Sequence, residues 1–330
     1  MPHFPPPPKL PPKVGPFRRV PPAVFPAVLG LLGLVMAWKI GVQRFGLPSA
    51  LVDLAEGMVV LLFLFFVVAY GAKAFLRPGA VIEDLNTLPG RTGLAAMALG
   101  MMVTATLFAS RSFHVAWVFL ALGVALLGAI ALFVAYHRLR GSDQAGPPTP
   151  AMHLVFVGFV VAPGAALPLG VPLLWVEVLC IYTFVAALII VGLTVKPLVT
   201  GEGTPPLRPL QGIQLAPAAF LTTASVMTGH SVLAGIAMIW AIAVAALLLV
   251  RVRWMIAGGF SGFWSAFTFP ATAFAGALML YSQMSGIAAL GIAGGIVLVA
   301  VTLYVPVIAY KILKLWAKGT LAVKTNASIA

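Results

Sequence analysis

Ten runs of about twenty mostly apolar residues recur along this chain of 330 residues, and no other feature limits the fold as sharply. They lie at roughly 22–40, 54–76, 92–110, 113–137, 151–168, 172–195, 211–228, 231–251, 262–281 and 285–312. Each is about long enough for an α-helix to cross the hydrocarbon core of a bilayer. What remains cannot clothe a water-soluble protein. Charged side chains make up 8% of the chain, against about a quarter in soluble domains. The expected fold is an all-α integral membrane protein of ten transmembrane helices.

The connections between runs alternate in length. Arg111-Ser112 nearly suffices to join the third and fourth runs, and Gly229-His230 the seventh and eighth, whereas RPGAVIEDLNTLPG, RGSDQAGPPTP and KPLVTGEGTPPLRP are long and rich in Pro and Gly. Five helical hairpins result. Charge tests the layout. Of the 20 Lys and Arg residues, 17 fall on one side of it and only Lys39, Arg44 and Arg111 on the other. The positive-inside rule then puts both termini and the long loops in the cytoplasm, most simply of a bacterial inner membrane. Residues 1–20 read as a proline-rich, polyproline-like tail rather than a signal peptide, 21–318 as the membrane domain, and 319–330 as a C-terminal tail.

Odd- and even-numbered runs differ. The even ones, such as MVVLLFLFFVVAY, suit lipid. The odd ones are richer in Gly, Ala, Ser and Thr, and four of them carry a proline: Phe25-Pro26, Ala162-Pro163, Ala216-Pro217 and Phe269-Pro270. The third run lacks one but has Gly100, Thr104 and Thr106 in its middle. Irregular backbone survives in a bilayer only against protein or a water-filled cavity, and small residues let helices approach. The pattern predicts a quasi-five-fold arrangement, with inner odd helices around a central pore and outer even helices facing lipid. A solid bundle in which the prolines only aid packing is the alternative.

The lumen of such a pore would offer hydroxyls (Thr104, Thr106, Thr222, Thr223, Ser225, Thr268), small residues such as Gly30 and Gly100, backbone freed by proline, and Phe25 and Phe269. Carboxylates are missing from mid-membrane: Asp53, Glu56 and Glu177 open the second and sixth runs, where they suit helix N-termini. A pore without carboxylates, set between basic vestibules, favours anions. Phe269 beside Pro270 would plug a narrow lumen; Phe in a membrane helix also serves plain packing. No proton relay of intramembrane acids is visible, which counts against obligatory proton coupling. The five histidines lie at span ends or in the tail and read as solvated or interfacial, and Cys180 as a buried or lipid-facing hydrophobe. No metal, phosphate-loop or catalytic motif occurs, so the expectation is no enzyme, no cofactor and no nucleic-acid partner.

Three segments carry a resemblance: PPAVFPAVLGLLGLVMAW (21–38), IQLAPAAFLTTASVMTGH (213–230) and FWSAFTFPATAFAGAL (263–278). In these the chain resembles the tellurite-resistance/dicarboxylate transporter family, which includes TehA-like bacterial proteins and the plant guard-cell slow anion channels. The likeness in hairpin layout runs over about residues 17–318. It implies a homotrimer with a pore in each ten-helix protomer, selective for small anions such as chloride or nitrate. It also implies a gating phenylalanine, which maps onto Phe269, and kinked inner helices at Pro26, Pro163, Pro217 and Pro270. The resulting pore-lining set is Phe25, Pro26, Gly30, Gly100, Thr104, Pro163, Pro217, Thr222, Thr268 and Pro270. A secondary carrier for C4-dicarboxylate, sulfite or tellurite-type anions remains open, as does a membrane anchor without a permeation path.

Overall fold

The computed structural model describes residues 17–142 and 146–330; most of the proline-rich tail, residues 1–16, lies outside the described residues. The described chain is helical, with no strand. In order it forms α1 (Phe25–Phe45), α2 (Ala50–Leu76), α3 (Gly79–Leu85), α4 (Leu88–Phe108), α5 (Phe113–Leu139), α6 (Pro163–Ala166), α7 (Leu173–Thr194), α8 (Lys196–Thr200), α9 (Leu215–Met227), α10 (Ser231–Ile256), α11 (Phe269–Ser285), α12 (Ala288–Ala317) and α13 (Thr320–Lys324). Among the described residues eight helical stretches are long and apolar enough to cross a membrane: those of α1, α2, α4, α5, α7, α10, α11 and α12.

The other two expected spans are not continuous α-helices. The fifth is built from a π-helical turn (His153–Val157), a 3₁₀ stretch (Gly158–Val161) and the single turn of α6. The seventh is a 3₁₀ stretch (Pro205–Gln214) followed by the short α9. The cause is proline. Lacking an N–H, proline is tolerated in the first turn of an α-helix, where that donor has no partner inside the helix. Pro26, Pro163, Pro217 and Pro270 all stand in a first turn, and in each case a 3₁₀ stretch precedes it (Pro22–Val24, Gly158–Val161, Pro205–Gln214, Gly262–Phe267). The third run conforms too: α4 begins earlier than its hydropathy indicates, under a cap in which the Thr87 hydroxyl accepts from the Gly90 N–H, and so takes in Pro89.

Burial sorts the long helices into two groups. Inside the protein, 89% of the apolar window of α4 is buried, and 67% of those through α1 and α11; for α2, α5, α7, α10 and α12 the share is 22–33%. Contacts run in a closed circuit from α1 to α4, to the 153–166 segment, to α9, to α11 and back to α1. Against each of these packs its successor in the chain: α2, α5, α7, α10 and α12. The outer helices touch the circuit along one buried stripe, which in α2 is Glu56, Val60, Phe63, Phe66, Tyr70 and Lys73.

Two of the long connections also carry structure. The first contains α3, whose Asp84 is fully buried and pairs with Lys73 Nζ at 2.7 Å. Asp84 also accepts from the Tyr70 hydroxyl at 3.0 Å, and Lys73 donates to the Val20 carbonyl at 3.1 Å. A buried pair persists only when its remaining hydrogen-bonding capacity is met in this way. The C-terminal residues, expected to form a tail, fold as α13 and pack on the body, with Leu321 and Ala322 buried.

Candidate functional site

The first turns of α1, α4 and α11 lie at one end of the circuit. A cavity of 310 Å³ opens there, bordered by Pro26 of α1, Pro89 and Thr92 of α4, Pro270 of α11, Ser261 and Ser265 of the turn before α11, and Lys324 of α13. None of α1, α4, α6, α9 and α11 has an acidic residue in its first turn. The partial positive ends of the helices are therefore left without a carboxylate to offset them. Toward the other end lies a second cavity of 250 Å³, bordered by the later halves of α1 and α4 (Met36, Thr106), by Pro163, and by Thr223 and Thr272. Among the described residues no acidic side chain borders either cavity.

Phe269 borders both. It is the first residue of α11, set at the junction between the 3₁₀ stretch and the α-helix, and it is 4% exposed. The ring is held on two sides. Phe220 of α9 lies 5.1 Å away between centroids, tilted by 33°, a favourable aromatic arrangement. On the other side is Gly33 of α1: a Cβ built there would stand 2.7 Å from the ring's Cδ2 and 2.4 Å from Thr272 Oγ1. Glycine at 33 is what lets the ring lie flat against α1.

The other expected pore residues divide. Pro26 and Pro270 border the first cavity and Pro163 the second; Pro217 borders a cavity of 20 Å³ between Phe220, Phe269 and His153. Phe25, Gly30, Gly100, Thr104, Thr222 and Thr268 border neither the first nor the second cavity. Phe25 points outward to Phe63 and Tyr70 of α2, with ring centroids 6.3 and 6.1 Å away. Gly100 also faces α2, where a Cβ would stand 2.5 Å from the Phe63 ring. Gly30 seats Thr268, whose Oγ1 would be 2.2 Å from such a Cβ. The hydroxyls of Thr104, Thr222 and Thr268 are spent on the carbonyls of Gly100, Ala218 and Ser265. Helical rotation explains the offset: small and hydroxyl residues serve both the lumen face and the face under the outer helices, and spacing alone does not separate the two. Gly33 and Phe220 escaped the sequence reading. Gly33 does lie one turn beyond Gly30, and Phe220 one turn beyond Pro217, on the sides that close on Phe269.

Several polar residues sit otherwise than expected. Asp53 stands in the first turn of α2, as expected, without a capping hydrogen bond, and with Glu56 it gathers the cations at the sparsely charged end. Glu56, 2% exposed, accepts from Lys39 Nζ and from both Arg111 guanidinium nitrogens, and Asp53 accepts from Arg111 at 3.3 Å. Glu177 lies 2.8 Å from His230 Nε2. His153, expected at a solvated interface, is fully enclosed. Its Nε2 is 2.9 Å from Gln214 Oε1, and Gln214 Nε2 donates to Thr194 Oγ1 at 2.8 Å. An amide oxygen only accepts, so Nε2 carries the proton; Nδ1 has no partner among the described residues.

The sequence matches the voltage-dependent anion channel family over residues 19–309. No individual curated protein matches the chain closely enough to add to this.

Proposed function

The chain belongs to the voltage-dependent anion channel family, and on that premise we propose that it is a gated channel for small anions whose gate is the Phe269 ring. One observation carries the reading: the two cavities approach each other from opposite ends of the inner circuit, and Phe269 borders both. In this reading the five inner segments and their five outer partners make ten crossings in quasi-five-fold order, and each protomer has its own pore. The broken fifth and seventh segments cross as the others do, since irregular backbone is tolerated in a membrane where protein or a cavity receives it.

Selectivity for anions has two supports. Three helix N-termini without first-turn acids, those of α1, α4 and α11, border one cavity, and among the described residues no carboxylate borders the other. Partial positive charge without a tight fixed cation attracts an anion and lets it leave, as conduction requires. Chloride, nitrate and similar monovalent ions suit such weak contacts. The excess of Lys and Arg on one face orients that face, both termini and the first cavity toward the cytoplasm, in a bacterial inner membrane. A homotrimer is the assembly the family resemblance implies.

Replacing Phe269 by Ala is expected to raise anion current in planar bilayers about ten-fold or more, each factor of ten corresponding to about 1.4 kcal/mol of barrier. Unchanged current in a folded F269A protein would remove the gate assignment.

One observation favours a second reading, a secondary carrier for dicarboxylate, sulfite or tellurite-type anions. His153 is an enclosed ionisable residue beside the small cavity that Phe269 borders, and such residues often serve proton relays. A reversal potential that follows the proton gradient, and stops doing so in H153N, would select the carrier.

A further inference from the structure

Beyond residue 309, where the family match ends, the chain does not trail away. A left-handed Gly319 (φ 69°) turns it sharply out of α12, and α13 folds back toward the first cavity. Leu321 is buried, and Leu321, Lys324 and Thr325 border that cavity. The residues that follow are tied down. The Ser328 N–H donates to Asp84 Oδ1 at 2.9 Å and its hydroxyl to the Ala80 carbonyl at 2.9 Å. Arg77 donates to the Ile329 carbonyl at 2.6 Å, and the Ala330 N–H to the Arg18 carbonyl at 2.8 Å. Asp84 is the same carboxylate that holds Lys73, so the strap of residues 318–330 is anchored on the buried ion pair beneath the bundle.

The placement has an electrostatic consequence. Among the described residues Lys324 is the one charged side chain bordering the first cavity, and none borders the second. We propose that Lys324, carried on this strap, is the charge that collects anions at the mouth of the first cavity, and that it makes anion entry faster from that side than from the other. The inference rests on anion conduction through that cavity. A lysine merely solvated at a surface would leave conduction unmoved; one at a narrow mouth acts on every ion that passes. A unit charge about 10 Å from a passing ion in water changes local ion concentration about two-fold. The effect is confined to low salt, because the screening length falls from about 30 Å at 0.01 M to about 3 Å at 1 M.

The test is single-channel recording of the full-length protein in planar bilayers, in symmetric chloride at about 0.01 M and about 1 M. For anions entering from the strap side, K324Q is expected to lower current about two-fold and K324E about four-fold at low salt. At high salt both should approach wild type, and entry from the opposite side should change less. K324C gives a variant whose charge is set after folding. Cys180, the chain's one native cysteine, is buried, so a cationic thiol reagent should restore the wild-type current and an anionic one deepen the loss. Wild-type current that ignores the charge at 324 overturns this inference alone. Absence of anion current in the wild-type protein overturns the conduction reading, and this one with it.

Discussion

Gly93 on α4 and Gly128 on α5 belong to helices that form one hairpin, yet they have opposite meanings. At Gly93 an added methyl would stand 2.2 Å from the Pro22 carbonyl oxygen, a backbone atom that cannot swing aside. Nothing lies within 4 Å of the same methyl at Gly128. The contrast extends to the layers these helices represent. Gly30, Gly33 and Gly100 of the inner helices are likewise filled up to the backbone by Thr268, Phe269 and Phe63, while Gly57 and Gly71 of α2 and Gly192 of α7 face open space. An inner helix is chosen by its neighbours on all sides; an outer one meets neighbours along one stripe and lipid everywhere else. Between helices in lipid the attraction is close packing rather than exclusion of water, so a mismatch hurts only where two protein surfaces meet.

Substitutions that separate contact from exposure sharpen this comparison. The largest effect is expected on the buried stripe, where an outer helix is as enclosed as an inner one. Phe63, 1% exposed, lies over Gly100 and against Phe25, and Phe63→Ala should cost about 3–5 kcal/mol, read as a fall in thermal midpoint in detergent. A midpoint near wild type would mean that the α2 stripe is not a packed surface. Next comes Gly93→Ala, with a loss of about 1–3 kcal/mol from overpacking on the same assay. Smallest, and of opposite sign, is Gly128→Ala, which should stabilise by up to about 1 kcal/mol, since glycine is a poor helix former and the space is free. If Gly93→Ala and Gly128→Ala shifted the midpoint equally, the distinction between the layers would fail.

The two cavities repeat the comparison along the axis of the inner circuit. One is bordered by the first turns of α1, α4 and α11, serines and a lysine, the other by helix bodies, the first turn of α6 and threonines. Proline links this difference to the sequence. Pro26, Pro163, Pro217 and Pro270 each stand in a first turn, so they mark where an inner helix begins and hence where its positive end points. The apolar runs and the charge bias could be read from composition, because twenty apolar residues have few uses outside a bilayer. Pro26, Pro163 and Pro270 were legible as cavity residues for the same reason. Phe25 and Gly100 were not legible as contacts of α2, because their helices bury more than one face.

By itself the amino-acid order determined which segments are apolar, which of them are small and proline-marked, and on which side of the layout the cations gather. These are local properties of length, side-chain volume and charge. Tertiary structure decided the rest. It set Phe269 between Phe220 and Gly33, enclosed His153 with Gln214, drew Lys39 and Arg111 onto Glu56, and folded residues 318–330 back over a cavity mouth. Each of these depends on the rotation and depth of helices distant in sequence, which only the packing of one helix against another specifies.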